Sequence, residues 1–450
     1  MVRVTDMTHG RPIRLILLFS LPLMLGSVFQ QLYTIVDTII IGRGVGMQAL
    51  ASIGAADWIN WLVLWGLQGF TQGFAILAAQ EFGAGAYDRL RRVLAMIVKL
   101  SCWFGIAVTI ISLLLVRPLL TLLHTDPAVF GGAQTYLYVQ FGGSLIIIAY
   151  NMAAAVLRCL GDSRTPLFAI IAASFANIAL DLLFVMGFGW GIFGASFATV
   201  LAQLIAFLLC LRSLRRLPFV QLTKADWKTD PAILLHLCRL GIPTGLQMSM
   251  ITLGGMVLQS VLNGFGVVFV AGYTAANKLY GILESASVAF GYAMTAYMGQ
   301  NRGARNAARI DAGIRAVLVL SAEFTAAIVT AMLLAGKPLL GLFLSTEEAG
   351  AADALAVAYQ YLMVLMAFLF ALFMLQAYRS SLQGLGEMTV PTLSGFAEML
   401  MRMGAALVLP TFIGQSGVFF AEGAAWVCAA ALNLVWYYMR IGKIKREMLQ

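Results

Sequence analysis

The chain has 450 residues, of which 61% are hydrophobic and only 11% are charged, whereas soluble domains carry about 25% charged residues. This composition excludes an ordinary soluble enzyme or binding domain and predicts a polytopic membrane protein. The formal net charge of +9 does not indicate a nucleic-acid-binding protein, because the basic residues fall in short segments between apolar runs.

Apolar runs long enough to cross a bilayer recur along the chain and predict about twelve α-helical spans and no strands. The first run covers residues 13–41 and lacks the cleavage site of a signal peptide. The fourth, residues 129–158, reads as one continuous helix. Lys and Arg are concentrated in every second loop, which predicts a multi-pass protein of a bacterial plasma membrane with both termini in the cytoplasm.

The two halves of the chain resemble each other, with Gln80–Arg92 repeated in Gln300–Ala312. Each half holds an even number of predicted spans, so the halves insert with the same orientation. Such repeats are related by a pseudo-twofold axis along the membrane normal, with a cavity between them. We therefore predict an N-terminal lobe over residues 1–213, a cytoplasmic linker over 214–231 and a C-terminal lobe over 232–450.

One acidic residue lies near the end of the first predicted span. Tyr33 precedes Asp37 by one helical turn, and Gln30 lies about one turn further back, so the three side chains form a polar stripe on one helix face. A carboxylate within hydrocarbon is costly and usually faces a wet cavity or a partner. The alternative is that Asp37 only marks the point where the helix reaches water.

A second polar cluster lies in the fifth and sixth predicted spans. Asn177 and Asp181 are four residues apart and share a helix face, Thr199 lies on the next span, and Asn151 lies on the fourth. If these faces converge on Asp37, two carboxylates among hydroxyl and amide oxygens form a site for H⁺ or Na⁺. The Na⁺ ligands would be Asp37, Asn177, Asp181 and Thr199. The alternative is a set of structural interhelical hydrogen bonds.

The duplication restricts this candidate site to the first half. The counterparts of Asp37 and Asp181 fall near Leu258 and Ala406, and neither of these is acidic. In the second half, Glu398 and Arg402 are four residues apart on one predicted span, so we expect an internal ion pair between them.

Other embedded polar residues are candidates for a substrate cavity. Glu284 is a candidate counter-charge for a cationic substrate, or it pairs with a basic residue of the protein. Lys278 and Gln30 are further candidate lining residues.

The sequence has no phosphate-binding loop of the G-x-x-x-x-G-K-[ST] type, no metal-ligand spacing of histidines and no evident pair of nucleophile and base. We therefore expect a protein that is not an enzyme and that needs no cofactor and no ATP. An ion gradient would supply the energy.

Several motifs together resemble the multidrug and toxic compound extrusion (MATE) family over nearly the whole chain. They are VDTIIIGR at Val36–Arg43, ALASIGAAD at Ala49–Asp57, QEFGAG at Gln80–Gly85, LRCLGDSRTP at Leu157–Pro166, NIALD at Asn177–Asp181 and FGASFAT at Phe193–Thr199.

The resemblance implies two six-helix lobes and H⁺- or Na⁺-coupled export of amphipathic, often cationic, organic compounds by alternating access. It also implies a first-lobe cation site. The residues that match that site here are Asp37, Tyr33, Asn177, Asp181, Thr199 and Asn151. Some members of the family use acids in the second lobe, on the seventh and tenth spans. The seventh predicted span of this chain has no acid, and the tenth has only Asp353, close to its start.

We expect a monomeric secondary antiporter whose partners are a small organic molecule and the bilayer. The closest alternative is a flippase for a lipid-linked precursor, which predicts basic residues in the central cavity to hold a phosphate. A third class, a non-transporting scaffold or receptor, predicts no dependence on pH or Na⁺.

Overall fold

The computed structural model describes residues 4–344 and 350–449, and every regular element in this part of the chain is helical. The helices of the N-terminal half are α1 Pro12–Gly44, α2 Met47–Gly83, α3 Tyr87–Leu122, α4 Pro127–Gly142, α5 Ser144–Cys159, α6 Arg164–Asp181 and α7 Gly191–Arg215. Those of the C-terminal half are α8 Pro231–Leu262, α9 Val267–Gly303, α10 Ala307–Gly341, α11 Ala351–Gly384, α12 Thr389–Ile413 and α13 Phe420–Leu449. A π-helical segment, Leu182–Gly187, follows α6.

Within the described residues, ten helices are long and apolar enough to cross a membrane, and the bent pair of α4 and α5 forms an eleventh candidate. The remaining long helix is α9, which has 37 residues and carries Lys278 and Glu284 in its interior. The prediction of an all-helical membrane protein with about twelve spans is therefore confirmed.

The span predicted at residues 129–158 consists of two helices rather than one. α4 ends at Gly142, and α5 continues at an angle of 50° after a one-residue break. Glycine weakens a helix because it loses the most conformational freedom on folding. A Cβ atom at Gly143 would lie 2.5 Å from the side chain of Val200, so the break also allows α7 to approach closely.

Contacts divide the chain into two compact units. The first unit contains Leu21–Gly245, and the second contains Met7–Ser20 together with the described residues from Leu246 onward. α1 and α8 therefore each pass from one unit to the other, beside Pro22 and Pro243 respectively. Proline within a helix removes one backbone hydrogen bond, so both passages lie where the helix is already weakened.

The predicted linker between α7 and α8 is folded rather than extended. It contains the 3₁₀ turns Pro218–Val220 and Lys224–Trp227. Asp226 accepts hydrogen bonds from the backbone N–H and the hydroxyl of Thr223, both at 2.7 Å. Lys99 of α3 donates to the carbonyl oxygen of Trp227 at 2.5 Å. These contacts tie the linker to the first unit.

Candidate cation-binding site

Two acidic side chains from different helices meet in the first unit. Asp181 is the last residue of α6 and is fully buried, and Asp37 lies two turns before the end of α1. Their carboxyl groups are within hydrogen-bonding reach of each other. Two ionised carboxylates offer only acceptors, so a hydrogen bond between them would need a proton on one of the oxygens.

Apolar packing fixes the approach of α1 to the end of α6. Ile40, one turn after Asp37, packs with Val185 of the π-helical segment in one buried cluster. Gly44 stands where a Cβ atom would lie 2.9 Å from the side chain of Val185, so the absence of a side chain permits close contact. The π-helical segment begins directly after Asp181, and such segments often occur at functional sites.

Several buried polar atoms of the first unit have no hydrogen-bond partner among the described residues. They are Asp37 Oδ1, both carboxylate oxygens of Asp181, both amide atoms of Asn177 and Oε1 of Gln203. Buried polar atoms are nearly always bonded to protein or water. No basic side chain of the described residues forms an ion pair with Asp37 or Asp181. The donor set therefore fits a proton, a monovalent cation or water.

Tyr33 and Thr199 were also predicted as ligands of the cation. Tyr33 interacts electrostatically with Asp37 and Asp181, and its hydroxyl is within hydrogen-bonding reach of Gln30. The hydroxyl of Thr199 donates to the carbonyl oxygen of Ala195 at 3.2 Å. That bond uses the hydroxyl hydrogen of Thr199 and leaves its oxygen lone pairs available to a cation.

Asn151 is committed to a local hydrogen bond. Its Nδ2 donates to the carbonyl oxygen of Ile147, one turn earlier in α5, at 3.0 Å. No contact between Asn151 and the two acids is found among the described residues. The role predicted for Asn151 stays a prediction, without support from the geometry.

Three residues of this region were missed by the sequence analysis. Asp57 on α2 interacts electrostatically with Asp37, and Tyr136 on α4 interacts with both of these acids. Asn60, one turn after Asp57, donates from Nδ2 to the hydroxyl of Tyr136 at 3.2 Å. The sequence indication was an embedded acid followed three residues later by an amide, in a stretch of α2 that is otherwise apolar from residue 53 to residue 67.

The described residues contain no group of three or more His, Cys, Asp or Glu side chains arranged to hold a metal ion. Asp57 therefore does not complete a three-carboxylate cage with Asp37 and Asp181.

The second unit contains a different polar cluster, in which acids and arginines alternate. Arg379 of α11 bonds to Glu398 of α12 at 2.5 Å. Arg402 bonds to Glu398 at 3.2 Å and to Glu422 of α13 at 2.8 Å, and it also donates to the carbonyl oxygen of Ile251 at 3.0 Å. The pair between Glu398 and Arg402 was predicted from their spacing, and the structure contains it.

Of the two charged residues predicted for a substrate cavity in this half, Glu284 lies beside the cluster. It interacts electrostatically with Glu422 and Arg402, and it shares a hydrogen bond with the hydroxyl of Tyr280. The ring of Tyr280 stacks on Trp426 at 5.5 Å between centroids. Lys278 lies on α9 with an exposed side chain and forms no ion pair with a described acid.

The fold and its polar clusters define a membrane transporter built from a duplicated unit. The sequence profile of the MatE family matches residues 22–183 and again residues 243–408. The two matches begin at Pro22 and Pro243, where α1 and α8 pass between units. The chain belongs to the MatE family.

Curated relatives span the whole chain. A probable multidrug resistance protein of Bacillus subtilis strain 168, YpnP, is 31% identical and covers 100% of this chain and 99% of its own length. The multidrug export protein MepA of Staphylococcus aureus strain NCTC 8325 is 23% identical, over 94% of this chain and 93% of its own length. A probable multidrug resistance protein NorM of Thermotoga maritima is 24% identical, over 93% of this chain and 90% of its own length.

Solved structures share the fold. A MATE protein in complex with a ligand called MaL6 has a TM-score of 0.91 and 24% identity, over 99% of this chain and 100% of that chain. An outward-facing multidrug resistance MATE transporter of the MOP superfamily has a TM-score of 0.90 and 24% identity, over 99% of both chains.

Proposed function

We propose that this protein is a secondary active multidrug antiporter, which exports amphipathic, often cationic, organic compounds in exchange for H⁺ or Na⁺ by alternating access. It would act as a monomer in a bacterial plasma membrane, with both termini in the cytoplasm. It would leave its substrates chemically unchanged and would need neither a cofactor nor ATP.

One observation carries the proposal of ion coupling. Asp37 and Asp181 face each other with buried oxygens that no described donor satisfies. Holding two such carboxylates ionised in a low-dielectric site is costly, so a cation that binds there is held strongly and can be released only when the surroundings change. A site of this kind can respond to an ion gradient, whereas the acids of the second unit are neutralised by arginines of the protein.

Support for a cationic substrate comes from Glu284 in the second unit, an embedded acid that interacts electrostatically with Glu422 and Arg402. An acid within a membrane-spanning helix usually faces a wet cavity or a charged partner. Gln30 and Lys278 remain proposed lining residues. A flippase for a lipid-linked precursor would instead need basic residues that hold a phosphate, and the residues proposed for the cavity include only one, Lys278.

The test uses purified protein in vesicles with the proton and sodium gradients clamped separately. Export of an ethidium-like dye should follow one of the two gradients in the wild type and should fall to background in Asp37→Asn, because the amide cannot release a proton and binds Na⁺ less strongly.

Asp353→Asn is the matched control, since it makes the same chemical change at an exposed residue in the first turn of α11. Dye export by Asp37→Asn at the control rate would remove the acid pair from the mechanism. If dye export depended on neither gradient and the protein moved a labelled lipid-linked phosphate across the membrane, the result would favour a flippase for a lipid-linked precursor.

A further inference from the structure

A cavity of about 350 Å³ lies in the first unit, where three membrane-spanning helices begin or end. Its lining comes from the end of α2, the start of α3 and the start of α8. The lining residues are Leu77, Arg89, Arg92, Asp230, Ala232, Ile233 and His236. The cavity therefore lies at one boundary of the membrane, with apolar side chains on one part of its wall and basic side chains on another.

The duplicated position in the second unit is filled by the chain itself. Gln300 accepts a hydrogen bond from the backbone N–H of Met7 at 2.8 Å. Arg309 donates to the carbonyl oxygens of Met7 at 2.9 Å and Gly10 at 2.8 Å, and also to Asn301. The three side chains thus hold residues 7–10, immediately before α1, through their backbone.

The first unit has an arginine at the position of Arg309, but that arginine has a different partner. In the repeat, Arg89 corresponds to Arg309, and Glu81 takes the place of Asn301. Arg89 pairs with Glu81 at 3.0 Å rather than with the segment that precedes α8. The segment that precedes α8 corresponds to residues 7–10, and it contributes Asp230 to the lining of the cavity.

The charges in the cavity favour an anion. Asp230 is the only acid of the lining, and its Oδ1 already accepts from the backbone N–H groups of Ala232 and Ile233 at 3.0 and 3.2 Å. Arg92 is exposed, and although it interacts electrostatically with Glu81 and Asp226, neither acid forms a close ion pair with it. Arg89 pairs with Glu81 through its Nε, and Arg89 also lines the cavity.

We propose that this cavity binds the phosphate of an anionic phospholipid. Arg92 and Arg89 hold the phosphate through charge-assisted hydrogen bonds, and Leu77 and Ile233 contact the glycerol and the first carbons of the acyl chains. The volume lies within the range of small-molecule sites. Basic pockets between spanning helices on the cytoplasmic side are suited to anionic head groups, and the excess of Lys and Arg places this end of the helices there.

The test measures lipid bound to the full chain by native mass spectrometry after delipidation. Phosphatidylglycerol should bind more tightly than phosphatidylcholine. Arg92→Ala should weaken phosphatidylglycerol binding by about fivefold to tenfold, as expected for one basic residue at an anionic surface, and Arg92→Lys should restore part of the loss.

Arg216→Ala is the control, because Arg216 is an exposed arginine at the end of α7, outside the cavity. Thermal unfolding of each variant shows whether the fold is intact. Equal binding by Arg92→Ala and Arg216→Ala would overturn the proposal, as would equal binding of the two lipids. Complete displacement of phosphatidylglycerol by millimolar inorganic phosphate would show a free-anion site and would overturn the assignment to lipid.

Discussion

The buried acids of the two units differ in whether arginines neutralise them. In the first unit, Asp37 and Asp181 meet without a basic partner among the described residues. In the second unit, Glu398 and Glu422 are both bound by Arg402, and Glu398 is bound by Arg379 as well. The two clusters do not occupy corresponding positions of the repeats, because the counterparts of Asp37 and Asp181 fall near Leu258 and Ala406.

This difference separates a fixed charge from an exchangeable one. A guanidinium that is bonded to two carboxylates and a carbonyl neutralises its acids permanently. Removing that guanidinium strongly destabilises the folded protein, because the acids are left buried without a partner. A pair of acids without such a partner must take its neutralising charge from solution, and that charge can leave again. Four changes test the comparison, each measured first as a shift in the stability of the purified protein.

Arg402→Ala should have the largest effect. It leaves Glu398 and Glu422 buried without the shared guanidinium, and breaking a buried pair of this kind costs about 3 to 5 kcal/mol. Thermal unfolding in detergent should show a large fall in Tm, with a low yield of folded protein. Arg315→Ala is the control, because Arg315 bonds only to a carbonyl of its own helix. A variant at Arg402 as stable as the control would show that the cluster is not a structural element.

Gly73→Ala should have the next largest effect and should act on the first unit through packing. A Cβ atom at Gly73 of α2 would lie 2.6 Å from the Cα atom of Gly241 of α8, so the helices must move apart, at a cost of about 1 to 3 kcal/mol. Gly54→Ala lies on the same helix with no atom within 4 Å of its Cβ atom. It should leave stability unchanged or raise it, and equal Tm values for the two variants would contradict the predicted close contact.

Asp226→Asn tests an acid outside the membrane that is neutralised by fixed contacts. Burial opposes ionisation, but the hydrogen bonds from Thr223 and the nearby Arg91 outweigh it and hold the pKa of Asp226 below its ordinary value. The stabilisation is therefore present above the ordinary pKa and is lost as the pH falls through the lower pKa of the folded protein.

The expected effect is local and about 1 kcal/mol. Hydrogen exchange of the peptide over residues 223–228 should be slower in the wild type than in Asp226→Asn near neutral pH, and the difference should vanish in acid. If the difference in exchange rate were the same at all pH values, the charge of Asp226 would not be what stabilises the turn.

Asp181→Asn should have the smallest effect on stability. The amide replaces a fully buried carboxylate whose oxygens have no described partner, so the Tm should be unchanged or slightly higher, within about 0.5 kcal/mol. Dye export driven by an ion gradient should nevertheless be lost. A large fall in Tm together with retained export would reverse the assignment and make Asp181 a structural residue.

The sequence predicted the parts of this arrangement that depend on local periodicity. The apolar runs predicted the helices, and the spacing of Asn177 and Asp181 placed both on one face of α6. The break at Gly143 was not predicted, because the apolar run continues through it and the close approach of Val200 is a tertiary contact. Asp57 was missed for a similar reason, since its proximity to Asp37 depends on how α1 and α2 pack.

Charge partners were predictable only when they lay on one helix. Glu398 and Arg402 are one turn apart, so their pair follows from the spacing. The bonds from Arg402 to Glu422 and from Arg379 to Glu398 join different helices, and no local pattern indicates them. The cavity at the start of α3 and α8 likewise joins residues that are far apart in the sequence, Leu77 to Arg92 and Asp230 to His236.

The polarity of α9 has a consequence for the synthesis of the protein. This helix carries Lys278 and Glu284 and packs more extensively against α11 than against any other helix of its unit. During translation α9 leaves the ribosome before α11, and a lone helix with two charged side chains partitions poorly into lipid. Its stable integration should therefore wait until α11 has been made, so that ribosome-bound chains that end before residue 351 should expose α9 to alkaline extraction.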